Sequence, residues 1–186
     1  SFRMALKVIL DTDPGGDVDD AGALAVLHAM ADSGEIEPLA VMVSNGHPLT
    51  VPYVHAANSW FGRPNVPIGN VPAPGPYQAD RFMEAVIGRE PYPHNADAAP
   101  DAAILYRSIL AEQKDQSVTL VTVGPPTNVA RLLQTEPDDV SPLSGVDLVR
   151  RKVAFYAAGG NGNGTLPSGK SGFNYNMDNV AARREL

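Results

Sequence analysis

Cysteine is absent from this 186-residue chain, so thiol catalysis, disulfide cross-links and cysteine-based zinc sites are excluded. Basic residues are scarce: 14 Lys and Arg stand against 21 Asp and Glu, for a formal net charge of −7. With no basic patch, neither nucleic acid nor an anionic membrane is the expected partner. No apolar run approaches the roughly 20 residues of a membrane-spanning helix. The start, SFRMALKVIL, has neither the apolar core nor the small-residue cleavage site of a secretory signal. Met4 reads as a natural start and a cytoplasmic location is the default expectation, although a mature exported protein reads the same way. Of the four histidines, His28, His47, His55 and His94, no two form an HExxH pair. His28 and His55 fall in expected helices, where structural roles account for them, and only His47 comes near the crevice described below. Internal repeats and low-complexity tails are also missing.

What remains is an ordinary globular composition, 44% hydrophobic and 19% charged, sized for one domain spanning 1–186 with a real core. Apolar strand-like runs alternate with helical patterns. Strands are expected at 6–10 (LKVIL), 39–43 (LAVMV), 66–68, 118–123 (VTLVTV) and 153–157 (VAFYA). Helices are expected at about 20–31, stopped near Gly34, at 50–61, closed by Gly62, and at 80–87, 100–112 and 127–133. Residues 136–147 and 159–172 read as loops. The alternation implies an α/β protein with a mostly parallel sheet flanked by helices, Rossmann-like in outline. Trp60 and Phe61, ending a helix, and Tyr156, in a strand, read as core. Tyr175 lies where it can meet a ligand.

The densest chemistry is the turn after the first strand. DTDPGGDVDD places five aspartates within ten residues, and such crowding demands protonation, solvent or a cation. A solvated acidic turn with Asp19 and Asp20 favoured by the helix dipole explains part of it, but leaves Asp11 and Asp13, at a buried strand end, without a reason. The sharper reading is a hard-cation site, calcium ahead of magnesium because several carboxylates can bind in flexible geometry. An EF-hand does not fit, because position 12 counted from Asp11 is Gly22 where a bidentate Glu is needed. A DxDx[TV] phosphoryl-transfer pair of the haloacid dehalogenase type is the other alternative, with Gly15 standing where Thr or Val belongs.

Other polar residues follow the remaining strands: Ser44 and Asn45 after the second, GPPTN (124–128) after the fourth, GGNGN (159–163, with Asn161 and Asn163) after the fifth. In a parallel sheet these ends share one edge, so four segments converge on one crevice.

DTDPGGDVDDAGALAVL resembles the N-terminal signature of the inosine–uridine preferring nucleoside hydrolases. VTVGPPTNVARLL is similar to that family's GPxTN segment, and GGNGNGTLPSGKSGFNYNMDNVAA to its Asn-rich segment. The resemblance implies the nucleoside hydrolase fold and a Ca2+-dependent N-ribohydrolase that cleaves a ribonucleoside, or a related riboside, into ribose and base. It implies Asp13 as the base that activates the calcium-bound water and as a calcium ligand. Asp20 and the Thr127 carbonyl are implied as further calcium ligands, Asp19, Asn45 and Asn174 as ribose contacts, and Asp11 as a support behind the site. Three departures stand out. Two extra residues separate Asp13 from Asp19–Asp20, so Asp17 either faces solvent or joins the site. Gly172 stands where the family has a ribose-gripping Glu. The family's C-terminal His-Asp pair lies beyond Leu186. On this resemblance the chain is the N-terminal portion of the fold, and the 186-residue form is expected to be weakly active or inactive and prone to self-association. A non-catalytic homologue with an incomplete site is the alternative.

Overall fold

The structure is a computed structural model that describes residues 4–88 and 98–159. The elements run β1 (Leu6–Thr12), α1 (Asp19–Asp32), β2 (Ile36–Val43), α2 (Thr50–Trp60), β3 (Ile68–Asn70), α3 (Met83–Ile87), α4 (Ala102–Glu112), β4 (Val118–Thr122), α5 (Thr127–Leu133), α6 (Gly145–Lys152) and β5 (Val153–Ala158). The strands form one sheet in the order β3-β2-β1-β4-β5, and each neighbouring pair is parallel.

Strand parity divides the core into two layers. Val8 and Leu10 of β1, with Val41 and Val43 of β2, pack against Leu24, Leu27, Val51, Val54 and Met83. Ile9, Ala40 and Met42 point the other way, against Tyr106, Leu110, Val129, Leu132 and Leu148. Helices α1–α3 therefore cover one face of β1 and β2 and α4–α6 the other, which is why residues 8–10 and 39–43 read as unbroken apolar runs, while β5 is exposed along most of its length. Each fully buried Ile or Leu contributes about 1.5–3 kcal/mol relative to exposure. The chain winds outward through β2 and β3, then returns to the opposite side of β1 through β4. The loops leaving β1 and β4 consequently diverge, and open α/β sheets bind their ligands at such a switch point.

Helix ends follow local chemistry. Gly34 and Gly62 adopt φ of 75° and 76° and close α1 and α2 with the same pair of bonds: Gly34 N–H to Ala31 O and Glu35 N–H to Met30 O, then Gly62 N–H to Ser59 O and Arg63 N–H to Asn58 O. Asp101 caps α4 by accepting from Ala103 N–H at 2.8 Å. Helix α3 begins at Met83 rather than at 80, because the Asp80 carboxylate accepts the N–H groups of Phe82, Met83 and Glu84.

Beyond the start of α3, four features differ from the sequence reading. Strand β3 covers Ile68–Asn70 rather than 66–68. Helix α6 occupies residues expected to end a loop; Ser144 and Asp147 form its N-terminal box. Trp60 is not core but 84% exposed at the end of α2. Tyr156 is 37% exposed on β5, where its hydroxyl lies 3.0 Å from Thr122 Oγ1. The segment between α5 and α6 is fastened by Arg107, whose side chain is 3% exposed. Arg107 donates twice to Asp138 (2.9 and 2.7 Å) and also to Thr135 Oγ1 and to the carbonyls of Ser141 and Leu143.

Candidate active site

The carboxyl edge of the sheet collects the polar residues. Asp11 and Thr12 end β1, with Asp13 directly after them, and all three are buried. Ser44 and Asn45 follow β2 and are fully buried. Gly124 follows β4 and lies so close that an added Cβ would collide with Ser44 Oγ and come within 2.7 Å of Asp13 Oδ1. The missing side chain at Gly124 is what lets the ends of β1, β2 and β4 meet.

Asp11 is the deepest carboxyl. Tyr106 donates its hydroxyl to Oδ2 at 3.0 Å and Asn128 its Nδ2 to Oδ1 at 3.3 Å. Burial pushes Asp11 up to about 7, with the hydrogen bonds from Tyr106, Asn128 and Ser44 acting against it. Asn128, the asparagine of GPPTN, also donates to Val43 O at 3.0 Å, so it ties the start of α5 to β1 and β2, and its Oδ1 is buried without a partner. Thr127 is buried beside it as the first residue of α5.

Asp13 is 3% exposed. Burial first, then the charges of Asp20, Asp11, Asp19 and Asp17, pushes its carboxyl up to about 9. Asp20 is raised as well, mainly by burial; its Oδ1 accepts the Thr12 hydroxyl and the Asp13 backbone N–H. Asp17 reaches about 6, through its hydrogen bond with Asp19, partial burial, and the charges of Asp19 and Asp20. Asp17, Asp19 and Asp20 each present an oxygen, and these oxygens lie within 4.8 Å of one another. Asp17 is both exposed to solvent and part of the cluster.

Among the described residues, the ion pairs fall on Asp32, Asp138, Asp101 and Asp115, away from these acids. Among the described residues, no Lys or Arg is therefore bonded to these acids to relieve the repulsion. An all-oxygen donor set of crowded carboxylates fits a hard divalent cation such as calcium or magnesium. The residues that the resemblance nominates and those that geometry clusters share Asp20, nominated as a cation ligand, and Asp19, nominated as a ribose contact. Asp13 joins the group through its backbone bond to Asp20.

Asn45 is saturated by the protein. Its Oδ1 accepts the N–H groups of His47 (3.1 Å) and Gln78 (3.0 Å), and its Nδ2 donates to Pro14 O (2.8 Å) and Gln78 O (3.4 Å). His47 serves the same turn: Nδ1 accepts the Leu49 N–H, and the ring packs on Tyr77 at 5.3 Å. His28 is buried against Asn58 and Phe61, a structural role. Asn161, Asn163, Gly172, Asn174, Tyr175 and His94 lie outside the described residues. The sequence reading missed Gln78, which donates Nε2 to Asp13 Oδ2, and Tyr106 beneath Asp11. Neither carries a motif; Gln78 follows a proline-rich loop, and Tyr106 reads as one apolar position of α4.

The sequence matches the model of the family described as inosine-uridine preferring nucleoside hydrolase over residues 8–185. The pyrimidine-specific ribonucleoside hydrolase RihA of Klebsiella pneumoniae is 34% identical over 146 residues, which cover 73% of this chain and 45% of that protein. The chain thus spans about half the length of the curated relatives it matches. In fold it is similar to the type III effector protein XopQ, solved in complex with adenosine diphosphate ribose (TM-score 0.70, 20% identity, 98% of this chain and 52% of that one). It is also similar in fold to the plant nucleoside hydrolase PpNRh1 (TM-score 0.55, 23% identity, 84% of this chain and 48% of that one).

Proposed function

The chain belongs to the inosine-uridine preferring nucleoside hydrolase family, and we propose that its strand-end crevice serves calcium-dependent hydrolysis of the N-glycosidic bond of ribonucleosides. The observation that carries this reading is the acid cluster: three carboxylate oxygens within 4.8 Å of one another, beside a buried Asp13 whose carboxyl is pushed up to about 9 by burial first and then by the charges of four neighbouring acids. Asp13, Asp20 and the Thr127 carbonyl would hold the cation, with Asp17 and Asp19 at its solvent side. When bound, such a cation supplies the positive charge that keeps these carboxyls ionised, and it acidifies water beside them.

The protein's own part follows from that. Ionised Asp13 takes the proton of a water attacking the anomeric carbon, a general-base step that contributes roughly 10²–10⁴-fold. The C–N bond breaks with oxocarbenium character on the ribose, the water oxygen bonds to that carbon, and the base departs with the C–N electron pair and takes a proton from solvent, while Asp13 returns its proton to solvent. Asp19 and Asn174 accept or donate to ribose hydroxyls. Asn45, its carboxamide engaged four times, contributes by holding the crevice wall in place. Asp11, anchored by Tyr106 and Asn128, fixes the end of β1.

The test is release of free base from inosine, uridine and a nitrophenyl riboside, with and without calcium, by the protein and by Asp13→Asn. Calcium-dependent release that Asp13→Asn abolishes is expected; equal release by both proteins would remove Asp13 as the base. A second reading, a riboside held without turnover, draws on the XopQ complex with adenosine diphosphate ribose. Calorimetric binding of that ligand, with no base released from any nucleoside, would favour it.

A further inference from the structure

Residues 76–82 cross the acid turn as a strap. Gly46 N–H donates to Pro76 O (2.7 Å) and Arg81 N–H to Gly15 O (3.0 Å). Gln78 bonds the Asn45 carboxamide through both its N–H and its carbonyl, and Asp80 caps α3 just beyond. The strap rests on bare backbone. A Cβ at Gly15 would stand 3.0 Å from Asn45 Nδ2 and from Met83 Cε, and one at Gly16 would collide with the Gln78 carboxamide oxygen. Those two glycines, with Pro14, separate Asp13 from Asp17 in sequence. Across them the Gln78 side chain reaches Asp13 and donates Nε2 to Oδ2. The other oxygen, Oδ1, is turned toward Gly124 and the loop that leads to Thr127.

We propose, on the reading of the crevice as a cation-holding hydrolytic site, that Gln78 is the positioning residue of Asp13. Its N–H fixes one carboxylate oxygen, so that the other is presented toward the β4 loop. Once Asp13 is ionised, repulsion from Asp19 and Asp20 pushes its side chain away from the cluster, and a neutral donor on the far oxygen opposes that without adding charge. Carboxylates that ligate cations are characteristically hydrogen-bonded in turn, and loss of such a partner lowers metal affinity or activity roughly 10–100-fold.

The experiment uses the full chain, Gln78→Met, which keeps length and loses the donor, and Gln78→His, which restores a donor. Calcium calorimetry of Gln78→Met should give a dissociation constant roughly 10–100-fold weaker than the parent's. At saturating calcium, kcat for a nitrophenyl riboside should fall with KM unchanged, and Gln78→His should recover part of both losses. The melting temperature in chelator should stay that of the parent, which separates positioning from a folding defect. In calcium-free protein, NMR should show the Gln78 side-chain NH2 protected from solvent exchange, and exposed in Asp13→Ala. Calcium binding by Gln78→Met equal to the parent's, or a solvent-like Gln78 NH2, would overturn the role of Gln78 alone. No calcium binding by the parent protein would overturn the site reading and this role with it.

Discussion

Raising the pH from 6.5 to 8.5 in chelator should destabilise this protein, and calcium should reverse the loss. The Asp13 carboxyl sits at about 9 in the fold, against an ordinary 3.8. Between those values the folded chain keeps a proton that the unfolded chain has released, so stability falls as pH rises. One such proton corresponds to about 1.4 kcal/mol per pH unit. Two units therefore remove about 2.7 kcal/mol, roughly 5–11 °C of melting temperature for a domain of this length. Asp11, at about 7, and the raised Asp20 act in the same direction. His28, lowered by burial, acts oppositely, but only below its unfolded value near 6.5. Asp80, Asp115 and Asp138, all lowered, lose their contribution only as pH falls below the carboxylate range. The chosen window therefore isolates the acid crevice.

Calcium requires the ionised carboxyls, so its binding releases protons and tightens as pH rises. At a hundred times its dissociation constant it stabilises by about 2.7 kcal/mol, the size of the pH penalty. Differential scanning fluorimetry at the two pH values, with chelator and with calcium, reads both effects. A chelated melting temperature that stays flat or climbs would show that Asp13 is already ionised without a cation. A calcium shift of equal size at both pH values would show that the cation displaces no proton from the cluster.

Asp13→Asn should abolish base release while flattening the pH dependence of the melting temperature in chelator, because it removes the carboxyl that carries most of that dependence; thermal scans and the release assay check both. Gly124→Ala should weaken calcium binding, measured by calorimetry, because the new methyl takes the space of Ser44 Oγ and presses on Asp13 Oδ1. Arg107→Met should lower the urea midpoint far more than Arg63→Met. The first removes the guanidinium donors from Asp138, which keeps only the N–H groups of Val140 and Ser141, and from the carbonyls of Ser141 and Leu143, whereas the second removes a pair with an exposed Asp32, worth roughly 0–1 kcal/mol. An equal loss in the two variants would show that the buried guanidinium does not hold the segment between α5 and α6.

The sheet was legible because each strand declares itself locally. β1 and β2 are apolar on both parities, and the polar residues that end them stand directly next in sequence. The helix starts and stops were legible where a residue acts alone, as Gly62 does at α2. Helix α6 was not, because Leu148 is its one fully buried large residue, with Val149 packed partly against the same core, leaving no repeat to read. Trp60 was misplaced because a helix end carries no sign of which face it shows. At residues 54–58 the α2 pattern already satisfies the core, and the turn at Phe61 packs on His28 and leaves the indole outside.

The crevice divides along the same line. Five carboxylates in ten residues are a local fact, and local facts survive in sequence. What keeps them there is not local. Asp11 is held by Tyr106 and Asn128, 95 and 117 residues away. Asn45 grips Pro14 across 31 residues, and Gln78 reaches Asp13 across 65. Each partner is an unremarkable residue type in an unremarkable stretch, made specific only by topology and by glycines that let backbones touch. Charge density could therefore announce that a site exists and what class of ion it suits. Which acid is oriented, and by what, depended on bringing the β1 turn, the β2 loop and the 76–82 strap together, and that is why Gln78 emerges from the structure and not from the sequence.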